Sequence, residues 1–222
     1  NGLVKSYKET GWSQKAGKYN SSRYGITYDG LGRQSGFRES GWTEANGKYT
    51  THRYSVSYKG VNISSYTEAR WNEGRGASVT TMSNMVYKNG MLKSFHQHTH
   101  HSSGAVEDFT RSNITYDSSG RTVSYTDKGA QNGRNFTSTM SDISYDSSGR
   151  MVSYTNSGTG AKGKFYKNSY SLSYDAKGRI ETQSITSYNK QGAKIASSDK
   201  YSISYYSNGL VKSCVEHNWD KK

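Results

Sequence analysis

Seven tyrosines, Tyr28, Tyr58, Tyr87, Tyr116, Tyr145, Tyr174 and Tyr205, each open a near copy of one segment, at intervals of 29 to 31 residues. A period of this length marks an array in which one supersecondary unit buries its apolar face only by stacking on its neighbours. The fullest copy runs Tyr-Asp-Ser-Ser-Gly-Arg-Met-Val-Ser-Tyr from Tyr145 to Tyr154. Alternating residues flank its Asp-x-x-Gly, which is hairpin chemistry: Asp opens a type I turn and Gly takes the left-handed position that follows. This loop sets Asp146 opposite Arg150. It puts Tyr145 opposite Met151 and Ile143 opposite Ser153 on one face, with Ser144/Val152 and Asp142/Tyr154 on the other. Asp29/Arg33 and Asp117/Arg121 repeat the arrangement.

Two copies are a residue shorter and test the register. Asn89-Gly90 makes a two-residue primed turn that keeps Tyr87 opposite Leu92, and Gly60-Val61 leaves Tyr58 opposite Ile63. A one-residue slip would send every side chain to the other face, so the compensation indicates that one face matters. On that face the descending strands carry Ile26, Val56, Met85, Ile114, Ile143, Leu172 and Ile203, then the seven tyrosines. The ascending strands carry Val4, Ile63, Leu92, Met151, Ile180 and Val211, with small residues such as Ser65, Ser94, Ser124 and Ser153 set against the aliphatic row.

The opposite hairpin ends have turns of their own. Gln14–Lys18, Glu44–Lys48 and His101–Ala105 fit the same three-residue loop and would put Trp12 and Trp42 on the tyrosine face. The ends near Gly133, Gly163 and Gly192 break the parity, which predicts bulges or other loop lengths there. Half-repeats total eight ascending and seven descending strands. The expected fold is all-β: an antiparallel meander of about 15 strands over residues 1–222 as a single repeat array, forming a curved single sheet, an open shell or a large barrel.

Only 31% of the residues are hydrophobic, and mean hydropathy is −0.98, so a thick aliphatic core is not expected. The 20 Tyr, 4 Trp and 5 Phe at strand periodicity argue against disorder despite a net charge of +13. No apolar run is long enough for a transmembrane helix. Asn1 opens no signal peptide, which suits a mature chain or an excised piece. The single cysteine, Cys214, stands where most copies have an aromatic and reads as a ladder substitution.

The Tyr145–Thr155 string, its relatives at Tyr28, Tyr116 and Tyr174, and the Arg-Tyr steps at Arg23-Tyr24 and Arg53-Tyr54 together resemble the YD repeat of the RHS/YD-repeat surface and toxin proteins. The resemblance implies β-hairpin strips, either in long bacterial cell-surface proteins or in shells that enclose a toxin. This chain has a longer period than the usual unit of that family, and no toxin or self-cleavage segment follows, which favours the surface or structural array.

One cluster breaks the periodicity: His96, His98 and His100 point to one side of a strand, and the register puts Asp108 opposite His98. Alternating imidazoles with a carboxylate partner are a candidate transition-metal site. No cofactor is otherwise implied. No nucleophile elbow or paired-carboxylate motif appears, so no catalytic residues are assigned. The 30 Lys and Arg are spread rather than clustered and would attract polyanions such as anionic polysaccharide, cell-wall polymer or nucleic acid. The sequence therefore predicts a non-enzymatic, repetitive structural or adhesive module of a bacterial cell-surface or extracellular protein, pairing with other copies of itself or flanking repeats. The alternatives are a polyanion-binding module and a shell segment of a toxin-delivery protein.

Overall fold

A computed structural model describes residues 2–13, 17–160, 165–207 and 209–221. Fifteen strands follow one another: β1 (Tyr7–Ser13), β2 (Gly17–Tyr28), β3 (Gln34–Thr43), β4 (Gly47–Lys59), β5 (Asn62–Asn72), β6 (Gly76–Lys88), β7 (Met91–His101) and β8 (Val106–Tyr116). The second half continues with β9 (Thr122–Gln131), β10 (Arg134–Tyr145), β11 (Met151–Thr159), β12 (Phe165–Tyr174), β13 (Ile180–Tyr188), β14 (Lys194–Tyr205) and β15 (Val211–Asp220). Their hydrogen-bonded order is their sequence order, β1 to β15, in one open sheet, so the barrel alternative does not hold. Among the described residues there is no helix, and none that could cross a membrane. Residues cluster into two compact units, 1–111 with 130–133, and 112–129 with 134–222.

The expected turns form. Asp29, Asp117, Asp146 and Asp175 each donate their N–H to the carbonyl of the Arg four residues on, and the intervening Gly N–H returns to the Asp carbonyl. Tyr145 pairs with Met151, Tyr58 with Ile63 and Tyr87 with Leu92, as the turn chemistry requires. Asn132 and Gly133, at φ 52° and 75°, make a two-residue primed turn, and a register shift beside Tyr188 accompanies the Gly192 turn. Those are the departures predicted at those two ends. Gln14, Lys15, Ala16 and Gly163 lie outside the described residues.

The sequence reading errs just past each turn. Ser153 pairs with Ser144, not Ile143, and the ladder resumes only at Ser141 and Thr155. One residue is extra on each strand, Val152 on β11 and one of Asp142 and Ile143 on β10, so the two bulges cancel in register but each reverses the side-chain parity of its strand. The same shift recurs at Tyr24/Thr27, Tyr54/Ser57, Ser83/Val86 and Tyr201/Ser204. Its mark is a left-handed residue three places before the anchor tyrosine: Gly25, Ser55, Asn84, Asn113, Asp142 and Ser202, with φ between 52° and 58°.

Two expectations fall with that parity. The small residues face away from the anchor tyrosines and pair hydroxyl to hydroxyl, as in Thr115/Ser124, Ser144/Ser153, Ser173/Thr182 and Ser204/Ser213 at 2.6 to 2.8 Å. Trp12 and Trp42 lie on the face opposite the tyrosines, because Tyr19 and Tyr49 cover Gly11 and Gly41, the residues just before them. The Glu44–Lys48 turn also closes earlier than expected: Thr43 pairs with Gly47 and Trp42 with Lys48.

A single sheet has no second layer, and among the described residues no side chain is buried below 2% exposure. The best-covered apolar groups are Ile26, Phe37, Met82 and Phe95 in the first unit and Ile114 and Ile143 in the second. Phe37 and Phe95 are covered by arginine side chains of neighbouring strands, Arg23 and Arg53 over Phe37 and Arg111 over Phe95. Register pairs Tyr7 with Arg23, Phe37 with Arg53, Tyr66 with Met82 and Phe95 with Arg111, one residue per strand from β1 to β8. The Arg23 guanidinium lies 4.1 Å from the centre of the Phe37 ring, and that of Arg53 lies 4.3 Å from the Tyr66 ring. Such contacts contribute about 0.5 to 1 kcal/mol each.

Candidate functional site

The recurring residues join hairpin to hairpin. Each turn aspartate accepts two backbone N–H groups through Oδ1 and the Arg side chain through Oδ2, as in Asp146 with Ser148 and Arg150 at 2.9, 2.9 and 2.7 Å. The arginine so held lies over the anchor tyrosine of the next copy: Arg33 over Tyr58, Arg121 over Tyr145, Arg150 over Tyr174 and Arg179 over Tyr205, at 4.3 to 4.8 Å. That tyrosine then donates its hydroxyl proton back to the strand it covers. Tyr58 reaches the Gln34 carbonyl, Tyr145 that of Thr122, Tyr174 that of Met151 and Tyr205 that of Ile180, at 2.6 to 2.7 Å.

The far ends are laced in the same sense. Glu44 accepts the Lys18 N–H, Glu73 that of Lys48, Ser102 that of Ala77 and Asn132 that of Val106, at 2.8 to 3.1 Å, each from the hairpin before. Glycine is required at Gly17 and Gly47, where φ is 67° and 69° and a Cβ would meet the carboxylate of Glu44 or Glu73. The sequence placed Glu44 in a turn pair. Its actual partner in the preceding hairpin follows only from the interhairpin register.

The turn carboxylates carry a pH signature. Those of Asp29, Asp117, Asp146 and Asp175 sit below the ordinary value of 3.8, chiefly because the backbone N–H of the following arginine donates to them, with the guanidinium adding to the effect. A depressed folded value means that the unfolded chain takes up protons first, so this stabilisation is complete above the ordinary value and is lost as pH falls through the folded values. Thermal unfolding followed from about pH 6 to about pH 2 is expected to show Tm falling below about pH 4. Replacing all four by Asn should flatten that limb, since Asn189 makes the same two backbone bonds, to Gln191 and Ala193, without a carboxylate.

The histidine cluster assembles on the face opposite the anchor tyrosines. His98 pairs with Asp108 across β7 and β8, as the sequence register predicted. Its Nδ1 is 2.7 Å from Asp108 Oδ2, and its Nε2 is 2.8 Å from His100 Nε2. His96 Nε2 stands 3.7 Å from Asp108 Oδ1, and its Nδ1 is 3.4 Å from Thr110 Oγ1. All four sequence-derived residues are thus brought together and half exposed or exposed. Among the described residues, no group of three or more His, Cys, Asp or Glu side chains is arranged to hold a metal ion as it stands.

The same face carries Trp12 and Trp42, whose side the sequence misassigned, together with Trp71, whose side it left unassigned. Trp12, Trp42 and Trp71 are 68%, 38% and 41% exposed. Lys18 pairs with Trp12 and Lys48 with Trp42, which interleaves cations with the indoles. Beside Trp71 a groove is lined by Tyr24, Arg38, His52, Ala77 and Val79. Neither the protein-family models nor the curated proteins contain a match to this sequence.

Proposed function

We propose that this chain is a non-enzymatic, repetitive structural module of an extracellular bacterial protein or assembly. One observation carries the proposal: the recurring Asp, Arg, Tyr and far-end Glu side chains are engaged in contacts within and between consecutive hairpins. Repetition then serves extension, because each hairpin supplies the partner groups of the next. β15, exposed along its whole length, and β1 each have a strand on one side only, which suits continuation by strands of like kind, from other copies or flanking repeats. Sedimentation over a wide concentration range is expected to show association that weakens when Asn218→Pro removes an N–H from the open edge of β15, since the Lys221 N–H donates to the Ile195 carbonyl and the register then turns the Asn218 N–H away from β14. A particle that stays monomeric at every concentration and does not pair with an added repeat peptide overturns this role.

A second role is favoured by the tryptophan face. Exposed indoles alternating with Lys18 and Lys48, on a chain of net charge +13, form a surface for an anionic polysaccharide, with rings stacking on sugars and ammonium groups on acid groups. Titration with heparin is expected to give affinity that falls steeply with salt and drops further in Trp42→Ala. A flat or absent titration removes it.

A further inference from the structure

We infer that His98 and His100 form a two-imidazole chelate for a square-planar or octahedral divalent cation, copper(II) or nickel(II), with Asp108 as the carboxylate that orients it. The chemistry begins at Asp108. A carboxylate only accepts, so His98 must donate through Nδ1 across their 2.7 Å contact, which fixes the His98 tautomer and leaves a lone pair on its Nε2. That lone pair accepts the Nε2–H of His100 at 2.8 Å. If the His100 proton moves to its own Nδ1, both Nε2 lone pairs become available to one cation, and no net proton is lost. Both residues lie two apart on one side of β7, and their rings stand 4.6 Å apart at 71°.

The separation of the two nitrogens is nearer that of a cis ligand pair than that of a tetrahedral one. With metal–nitrogen bonds of about 2.0 to 2.1 Å, nitrogens 2.8 Å apart close an angle of roughly 85° to 90° at the metal. That is the cis angle of a square or octahedral site, which copper(II) and nickel(II) adopt. Tetrahedral zinc needs nitrogens about 3.4 Å apart. A ligating imidazole whose other N–H is held by a carboxylate is oriented by it, which is the position of Asp108. His96 is occupied by Asp108 and Thr110 and lies outside the ligand pair, which narrows the four-residue set drawn from sequence to two ligands and one positioning residue.

Calorimetry of the whole chain with copper(II), nickel(II) or zinc, together with electron paramagnetic resonance of the copper form, tests this. One copper with coupling to two nitrogens is expected, with nickel bound more tightly than zinc. His98→Ala and His100→Ala should each abolish the two-nitrogen signal. Asp108→Asn should weaken binding about tenfold to a hundredfold. His96→Ala and His217→Ala should change nothing, and circular dichroism confirms that each variant folds. Absent copper uptake, a signal that survives His98→Ala with His100→Ala, or zinc bound as tightly as nickel overturns the assignment.

Discussion

Gly158→Ala is expected to cost about 3 kcal/mol, the upper part of the range for forcing atoms into a packed site. Gly158 pairs with Ser138 across β10 and β11, and an added Cβ would lie 1.9 Å from the carbonyl oxygen of Thr137, with the Thr137 carbon at 2.8 Å and the Ser138 Cα at 3.1 Å. All three atoms belong to the partner backbone, so no rotamer change relieves the contact, and the two strands must separate. For a chain of this size that loss lowers Tm by roughly 6 to 12 °C. Gly30→Ala is the control: nothing lies within 4 Å of a Cβ there, and its φ is not left-handed, so Tm should hold or rise slightly. Differential scanning calorimetry of the two variants decides the matter, and equal Tm values would refute the backbone-clash account.

Turn chemistry was legible because it is local. Asp-x-x-Gly-Arg and Asn-Gly specify their φ values within five residues, so Tyr145/Met151 and Tyr87/Leu92 follow from the sequence alone. Face assignment beyond the turns was not, because it depends on a bulge that leaves the total register unchanged. Its signal was present all the same: Gly25, Ser55, Asn84, Asn113, Asp142 and Ser202 form a column of residues that are small or tolerate the left-handed region. With that column taken as bulges, Trp12 and Trp42 move to the opposite face and Tyr154 joins Tyr145.

The His98/Asp108 pair was predictable for the opposite reason. It lies between the His101–Ala105 turn and the bulge, where simple counting holds. The stack of Arg150 on Tyr174 was hidden because its partners are 24 residues apart and meet only through strand pairing. Recurrence of that spacing, as Arg121 to Tyr145 and Arg33 to Tyr58 at 25, is what a sequence can offer in its place. The repeat therefore encodes two things at different ranges: a turn within each hairpin, and a cation held over the next tyrosine.

Glu68→Ala is expected to be the most damaging charge removal in the first unit. Glu68 is the one acidic side chain among the described residues classed as buried, at 6% exposure. It receives Arg53 through Nε and Nη2 at 2.9 and 2.7 Å and Arg70 on its other oxygen. Arg53 is pinned between the Phe37 and Tyr66 rings, so it cannot leave for water without giving up both, whereas Arg70 is 58% exposed and can. Truncating Glu68 strands the Arg53 charge over an aromatic floor, and breaking a buried pair in this way costs about 3 to 5 kcal/mol. Since Arg53 retains some solvent, the lower end applies. Arg53→Met combined with Glu68→Leu removes both charges and should recover most of the loss, because an apolar replacement spares the desolvation of two ions. Urea unfolding of the single and double variants measures the coupling. If the double variant is no more stable than Glu68→Ala, the loss came from packing and not from the stranded guanidinium.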